Sequence, residues 1–393
     1  MKKKLLIVID SLVIGGAEKS LVSLLNILDL TKFEIELILF KKGGDLEKYI
    51  PSGITLLPVP EYFRYTSGEK MHISKKIKYS LYKLKTSIQL RLNQYKKNVL
   101  HSEQVVFKNI KEAIPQIQKR YDAAIAYSQG MPTYFVAHKV NAKKKLAWIN
   151  TDYVNTLYDK QLDYQSYKEF NKIITVSQNT KESVGKIRPE YYSKVDIMLD
   201  IINPEMIYEM ADDFNVKEFD KSIINILTVG RLASVKSYDT AIEVASLLKK
   251  DKYKFKWYVI GEGTERDKME YLIQKYDLVD NFVLLGKKIN PYPFMKNCDL
   301  YVQTSIKEGF GLTVCEAKIL KKPIVCTDFP TAGEIINNHI DGLIVKHGVM
   351  NVYMGIKKYL DDKYFQKKII DELRFGKPYS SINQLEKFYE LLN

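Results

Sequence analysis

The 393-residue sequence is poor in cysteine. Cys298, Cys315 and Cys326 stand in apolar surroundings, with no C-x-x-C pair and no Cys/His spacing suited to a metal. A disulfide-stapled fold is excluded, and a reducing cytosolic compartment is the default. Long hydrophobic runs are also missing. After Met1-Lys-Lys-Lys4 the apolar stretch lasts only from Leu5 to Ile9 before Asp10 intervenes, too short for a secretion signal. The longest uncharged run, Ala123 to His138, is 16 residues interrupted by Ser128, Gln129, Gly130 and Pro132. That falls short of the roughly 20 apolar residues a spanning helix needs, so any membrane contact is expected to be peripheral. There is no G-x-G-x-x-G, which counts against a dinucleotide site. No helix-turn-helix, RNP-type or zinc-finger signature is present, so nucleic acid is not an expected partner.

What is present is a chain with 46% hydrophobic residues, long enough for two domains of about 100–200 residues each. Acidic residues are outnumbered 47 to 61, and the imbalance is local: residues 1–203 hold 33 Lys/Arg against 20 Asp/Glu, residues 204–393 hold 28 against 27. The first half is therefore built to meet something anionic. Short β-branched runs alternate with longer helical stretches: Leu5–Ile9, Ile35–Phe40, Ala123–Tyr127, Leu146–Ile149 and Ile173–Val176, then Ile224–Val229, Lys256–Ile260, Phe282–Leu285, Leu300–Gln303 and Pro323–Cys326. Strands apolar throughout imply burial on both faces, as in a parallel sheet covered by helices. The fold class is α/β, with two Rossmann-like, doubly wound domains facing across a cleft. Their expected boundaries are 1–203 and 204–377, with 378–393 a carboxyl-terminal helix returning to the first domain.

Residues 70–97 carry nine Lys/Arg and no Asp/Glu, with Ile73, Ile77, Leu81, Leu84, Ile88, Leu92 and Tyr95 at helical spacing. This basic amphipathic helix reads either as an ordinary surface helix with a solvated basic face or as a device for adhering to an anionic membrane surface.

Three segments carry chemistry. The first strand ends at Asp10 and passes through Gly15-Gly16 into a helix starting near Ala17-Glu18, a turn in which unobstructed amides and a helix amino terminus can meet a phosphate. Strand 224–229 runs into Gly230-Arg231-Leu232 and then Lys236, two cations that can project past the strand's end as a diphosphate clamp. Ser305-Ile-Lys-Glu308-Gly-Phe-Gly-Leu-Thr-Val-Cys-Glu316 places two carboxylates about a row of amides freed by Gly309 and Gly311. Carboxylates repel phosphate, so their natural partners are sugar hydroxyls.

Together, Gly15-Gly16-Ala17-Glu18, Gly230-Arg231-Leu232 with Lys236, Gly261-Glu262-Gly263, and E-x7-E from Glu308 to Glu316 with its G-F-G-L resemble a retaining glycosyltransferase of family 4, in the GT-B fold, along nearly the whole chain. The resemblance implies that Arg231 and Lys236 grip the diphosphate of a nucleotide sugar, most commonly UDP-linked. Glu316 would take the ribose hydroxyls and Glu308 the donor-sugar hydroxyls. The amides of Phe310, Gly311 and Leu312 would approach sugar or phosphate, and Gly286-Lys287 would lie near the base. Gly15 and Gly16 would meet the diphosphate from the opposite lobe. No D-x-D, an acidic metal motif of the other major glycosyltransferase fold, occurs, so neither metal nor cofactor is expected. The pattern departs from the family in one respect. Where many relatives carry histidines after two first-domain strands, this chain has Ser128-Gln129 and Asn150-Thr-Asp152. Gln129, Asn150 and Asp152 are the candidates for acceptor or donor-sugar contacts. His72, His101, His138, His339 and His347 are read as structural.

The implied function is transfer of a hexose or N-acetylhexosamine to a glycan acceptor, lipid-linked at the cytoplasmic face of the membrane, in capsule, exopolysaccharide or cell-wall glycan assembly. The competing readings are a nucleotide-sugar epimerase or sugar phosphorylase of the same architecture, and a non-catalytic basic protein binding membrane or nucleic acid.

Overall fold

The computed structural model describes residues 2–151, 153–376 and 379–393, which form two compact units. One comprises Met1–Ile202 with Ser381–Asn393, the other Asn203–Ser380. In the first unit, β1 (Lys3–Ile9), β2 (Phe33–Leu39), β3 (Thr55–Leu56), β4 (Arg120–Ala126), β5 (Asn141–Ile149), β6 (Lys172–Thr175) and β7 (Val195–Ile197) make a sheet of order β3-β2-β1-β4-β5-β6-β7. Every pair is parallel. The second unit repeats the plan with β8 (Ile224–Val229), β9 (Phe255–Ile260), β10 (Phe282–Gly286), β11 (Leu300–Gln303), β12 (Ile324–Thr327) and β13 (Leu343–Val345), ordered β10-β9-β8-β11-β12-β13 and again all parallel. Leu5 to Ile9 are wholly buried, as a strand covered by helices on both faces requires. The strands β3, β7 and β13 are too short to give a sequence signal, being two or three residues each.

In each sheet the winding reverses beside the unit's first strand, between β1 and β4 and between β8 and β11. At such a switch point the loops leaving two adjacent strands diverge to opposite faces, and the crevice between them is where ligands bind in open α/β sheets.

The first core is rich in tyrosine, and its phenols need partners. The Tyr134 and Tyr153 hydroxyls donate to the buried Asp163 carboxylate at 2.5 and 2.9 Å, and Gln104 Nε2 donates to it at 2.9 Å. The terminal helix Gln384–Leu392 buries Phe388 beside Trp148 and stacks Tyr389 on Phe33. Just before it, Ser381 Oγ receives the Ile202 amide at 2.9 Å and donates to the Asp200 carbonyl at 2.7 Å. The second core gathers on Trp257, whose Nε1 donates to Thr228 Oγ1 at 2.9 Å, with Tyr238, Ile242, Phe282 and Tyr359 around it.

The basic amphipathic segment is a helix over Ile73–Asn93, shorter at both ends than the charge pattern of 70–97. Among the described residues no helix is long and apolar enough to cross a membrane. All three cysteines are buried, and burial pushes the Cys298 and Cys326 thiols up to about 12.

Candidate functional site

At the switch point of the second unit, the loop leaving β8 carries Gly230, Arg231 and Lys236, and the loop leaving β11 carries Glu308 to Gly311. The two loops are tied by backbone and hydroxyl groups: the Ile306 amide donates to the Val235 carbonyl at 2.8 Å, and Thr304 Oγ1 to the Lys236 carbonyl at 2.9 Å. Lys236 and Glu308 thereby meet as an ion pair, Nζ lying 2.7 Å from both carboxylate oxygens. Glu308 is held further by Gln303 Nε2 at 2.8 Å and Ser305 Oγ at 2.6 Å. Both side chains of the pair are mostly buried, 16% and 10% exposed, so the charges feel each other more strongly than a surface pair would. Arg231 is exposed and, among the described residues, forms no ion pair.

Gly311 caps the helix Leu312–Ile319 with φ +103°, a left-handed conformation that favours glycine, and a Cβ there would fall 2.8 Å from Ile335 Cδ1. The partial positive charge of a helix amino terminus lies at the start of this helix, whose cap, Gly311, stands three residues after Glu308. Phe310 is buried, its carbonyl receiving Thr331 Oγ1 at 2.7 Å, so its contribution outward is the backbone amide. One turn into the helix, Glu316 is buried and accepts the Tyr292 hydroxyl on Oε1 at 2.9 Å. Lys318 on the same helix donates to Asp341 Oδ2 at 2.7 Å, which fixes the helix to the segment leading into β13. Gly230 lies under Lys236: a Cβ on it would sit 3.4 Å from Lys236 Cε. Gly261 is required for another reason, since a Cβ there would fall 1.9 Å from the Gly230 carbonyl oxygen. Lys287 is exposed just past the end of β10.

The first unit's switch point is chemically different. The turn after β1 leads through extended Gly15 into the helix Gly16–Ile27, and the space above Gly15 is taken by Glu18, whose Oε2 lies 2.2 Å from where a Cβ would be. Burial raises the Glu18 carboxyl above its usual range. Asp10, at the end of β1, receives Ser128 Oγ at 3.1 Å. Burial, reinforced by the negative charge of Glu103 and Glu18, pushes Asp10 up to about 7. Glu103 is itself bound by Tyr158 OH at 2.9 Å and the Met131 amide at 3.2 Å.

The candidates standing where relatives carry histidine brace their loops with one end of each amide. Gln129 Oε1 receives Thr151 Oγ1 at 2.8 Å, and Asn150 Nδ2 donates to the Tyr127 carbonyl at 2.9 Å. Gln129 Nε2 and Asn150 Oδ1 have no hydrogen-bond partner among the described residues. Asp152 lies outside the described residues.

Sequence reasoning passed over Gln303, Ser305 and Tyr292, although Ser305 stands within the S-x-x-E motif itself, and over Asp10 and Glu103 in the first unit. His347, read as structural, places its Nε2 3.1 Å from Ser237 Oγ, next to Lys236. His138 is half-buried and burial pushes its imidazole down to about 4, leaving it neutral near pH 7. Among the described residues no group of three His, Cys, Asp or Glu side chains is placed to hold a metal ion.

Residues 209–374 match the family described as glycosyl transferases group 1. The chain is 29% identical over 375 residues to a Campylobacter jejuni protein named N-acetylgalactosamine-N,N'-diacetylbacillosaminyl-diphospho-undecaprenol 4-alpha-N-acetylgalactosaminyltransferase, covering 93% of this chain and 92% of the relative. It is 27% identical over 238 residues to the Staphylococcus aureus poly(ribitol-phosphate) alpha-N-acetylglucosaminyltransferase, covering 59% and 48%. Among solved structures, Anabaena HepE in complex with UDP and glucose is similar with a TM-score of 0.68 at 15% identity over 99% of both chains. A Staphylococcus aureus TarM variant in complex with Fondaparinux, alpha-GlcNAc-glycerol and UDP gives 0.66 at 17% identity over 100% of both. At those identities the structural likeness speaks for the fold, which is GT-B. The match of residues 209–374 to the glycosyl transferases group 1, the GT-B fold and the motif order agree in supporting a glycosyltransferase.

Proposed function

We propose that the protein, as a retaining family 4 enzyme, transfers a hexose or N-acetylhexosamine from a UDP-sugar to a lipid-linked glycan acceptor. It would act without a metal at the cytoplasmic face of an anionic membrane, in capsule, exopolysaccharide or cell-wall glycan assembly. The observation that carries the reading is the Lys236–Glu308 pair beside the glycine-opened start of the helix Leu312–Ile319. The first relative named above supports the acceptor class, since its name specifies a diphospho-undecaprenol carrier.

Cleaving a sugar–phosphate bond builds negative charge on the departing diphosphate and positive charge on the anomeric carbon. Cations and amides fixed beforehand favour that state over the ground state. Lys236 is fixed by Glu308, and Arg231 is exposed to receive a phosphate; the two supply the neutralisation a divalent ion would otherwise provide. The amides of Phe310, Gly311 and Leu312 bind sugar or phosphate oxygens. Glu308 and Glu316, as acceptor-only groups, take donor-sugar and ribose hydroxyls, with Lys287 near the base. The leaving phosphate oxygen takes the acceptor's proton. Gln129 and Asn150, each with one amide end open, are the first unit's candidates for hydroxyl recognition.

Screening nucleotide sugars for thermal stabilisation identifies the donor, because a ligand at 100 times its dissociation constant adds about 2.7 kcal/mol. Product analysis by NMR then tests the reaction. A retained anomeric configuration, with turnover undiminished by a chelator, is expected. An inverted linkage, a requirement for a divalent ion, or release of a sugar phosphate or an epimerised donor would each overturn the corresponding part.

A further inference from the structure

The helix Ile73–Asn93 is amphipathic the wrong way round for a surface helix. The face turned to the body of its unit is aromatic and polar, with the Tyr79 ring in the core beside Tyr62 and Tyr65, and with Thr86 and Asn93 buried. Tyr79 OH donates to Glu61 Oε2 at 2.9 Å, Gln89 Oε1 receives Asn109 Nδ2 at 2.9 Å, and Asn93 Nδ2 donates to the Leu100 carbonyl at 2.7 Å. Lys75 adds an ion pair to Glu61 at 2.6 Å. The opposite face is a continuous row of Ile73, Ile77, Leu81, Leu84, Ile88 and Leu92, each between 48% and 70% exposed. A row of large aliphatic side chains left uncovered by the described residues marks an interaction surface, because water-exposed apolar area carries a free-energy cost with no return inside the fold.

The charges say what covers it. At 3.6 residues per turn, Lys76 and Lys83 border the row on one side, Lys78 and Lys85 border it on the other, and Arg91 stands within it. All five are exposed, and no acidic side chain occurs from Lys70 to Lys97. A second copy of the helix would bring these cations against their own kind. The row steps by four, four and three residues, which keeps it on one side of a straight helix. An anionic lipid surface satisfies both halves of the pattern, taking the aliphatic row into the acyl boundary while the flanking lysines reach up to the headgroups.

We propose that the helix Ile73–Asn93 lies in the plane of an anionic bilayer with Ile73, Ile77, Leu81, Leu84, Ile88 and Leu92 inserted, so that its polar face, clamped through Glu61, Asn109 and Leu100, fixes how the first unit is presented to the membrane. This deepens the membrane part of the functional reading and rests on it, adding that insertion of the apolar row, and not attraction by charge alone, seats the protein.

The full chain, with and without Ile77→Asp and Leu84→Asp, is mixed with vesicles of phosphatidylcholine alone or with added phosphatidylglycerol, and bound protein is measured by flotation. The wild type is expected to prefer the anionic vesicles and to keep most of its binding at about 0.15 M salt. Each substitution is expected to weaken binding about tenfold, the loss of one buried aliphatic side chain. Both positions are exposed, so folding is expected to be kept, and a circular dichroism melt checks it. As an independent readout, Leu84→Trp is expected to show blue-shifted emission quenched by brominated lipid. Unchanged binding of the Asp variants, equal binding to neutral vesicles, or a Leu84→Trp signal blind to the lipid quencher would overturn the proposal. So would row variants that break up a dimer while vesicle binding stays the same. Donor turnover measured without vesicles separates the two claims: it stays within about twofold of wild type if only the seating is wrong, and is absent in every form if the transferase reading is wrong.

Discussion

The two switch points sit at equivalent places in two similar sheets and carry opposite chemistry. Between β8 and β11 opposite charges meet: Lys236 and Glu308 at 2.7 Å, with exposed Arg231 close in sequence and a helix amino terminus opened by Gly311. Between β1 and β4 the charged groups are carboxyls, Asp10, Glu18 and Glu103, and burial holds Asp10 and Glu18 above the usual range. This holds although the first half of the chain is the basic one, with 33 Lys/Arg against 20 Asp/Glu. Its cations are spent on the surface, notably on the helix Ile73–Asn93, while its crevice keeps a character suited to hydroxyl groups and unsuited to phosphate. The second half is nearly neutral overall and concentrates positive charge where a phosphate would bind. The net charge of a unit thus does not set the charge at its switch point.

The sharpest way to break this contrast is Lys236→Ala. If the second crevice is the phosphate-binding one, loss of a fixed cation beside developing negative charge lowers the transfer rate by about 10²–10³. It also leaves Glu308 without its counter-ion in a mostly buried setting. A steady-state assay with the donor found by screening measures it, and a rate within a few-fold of wild type would remove Lys236 from the reaction.

The first unit is probed through pH. Asp200 is buried, Oδ1 lacks a hydrogen-bond partner among the described residues, and burial pushes the carboxyl up to about 7, with nearby Glu18 adding to the rise and Ser20 opposing it. The folded value lies above the unfolded one, so the folded chain holds a proton that the unfolded chain has released, and stability falls as pH rises from about 4 to about 7. Asp200→Asn removes that dependence without changing shape. Relative to wild type, the variant is expected to gain on the order of 2–4 kcal/mol between pH 4 and pH 8 by chemical denaturation. Asp10 titrates in the same window in both proteins and cancels in the difference. A gap that stays flat with pH would mean that Asp200 is already ionised at little cost.

How far these features could be read from the sequence follows from how local they are. The sheets were legible because buried parallel strands are apolar throughout, and Ile224–Val229 and Leu300–Gln303 coincide with β8 and β11 residue for residue. Lys236, Glu308, Gly311 and Glu316 were legible because glycine and charge recur at fixed offsets within one loop and one helix. Tyr292 was not, because what makes it matter is a hydrogen bond to a residue 24 positions away; Gln303, five residues before Glu308, reads in the sequence only as the end of a strand. Asp10 was seen only as the end of a strand, since its carboxyl is raised by burial in the fold and then by Glu103, 93 residues distant. The orientation of the helix Ile73–Asn93 was hidden for a subtler reason. Periodicity shows that a helix has an apolar face, but it says nothing about which face turns inward, and the usual assumption fails when the polar side finds partners such as Glu61 and Asn109.

The finest test concerns Glu316 and asks whether the second crevice also discriminates hydroxyls. The carboxylate is buried on a helix pinned by Lys318 and Asp341, and the Tyr292 hydroxyl donates to its Oε1 at 2.9 Å. Tyr292→Phe deletes one donor while keeping the ring that packs there. If Glu316 serves the ribose of the donor, Tyr292 positions it, and its loss loosens one oxygen by about 1 kcal/mol, the net worth of one hydrogen bond. The expected result is a roughly fivefold rise in the donor KM with kcat little changed. A purely structural role would instead lower the melting temperature and leave KM alone. A fall in kcat at constant KM would place Glu316 at the reacting carbon and remove it from the ribose.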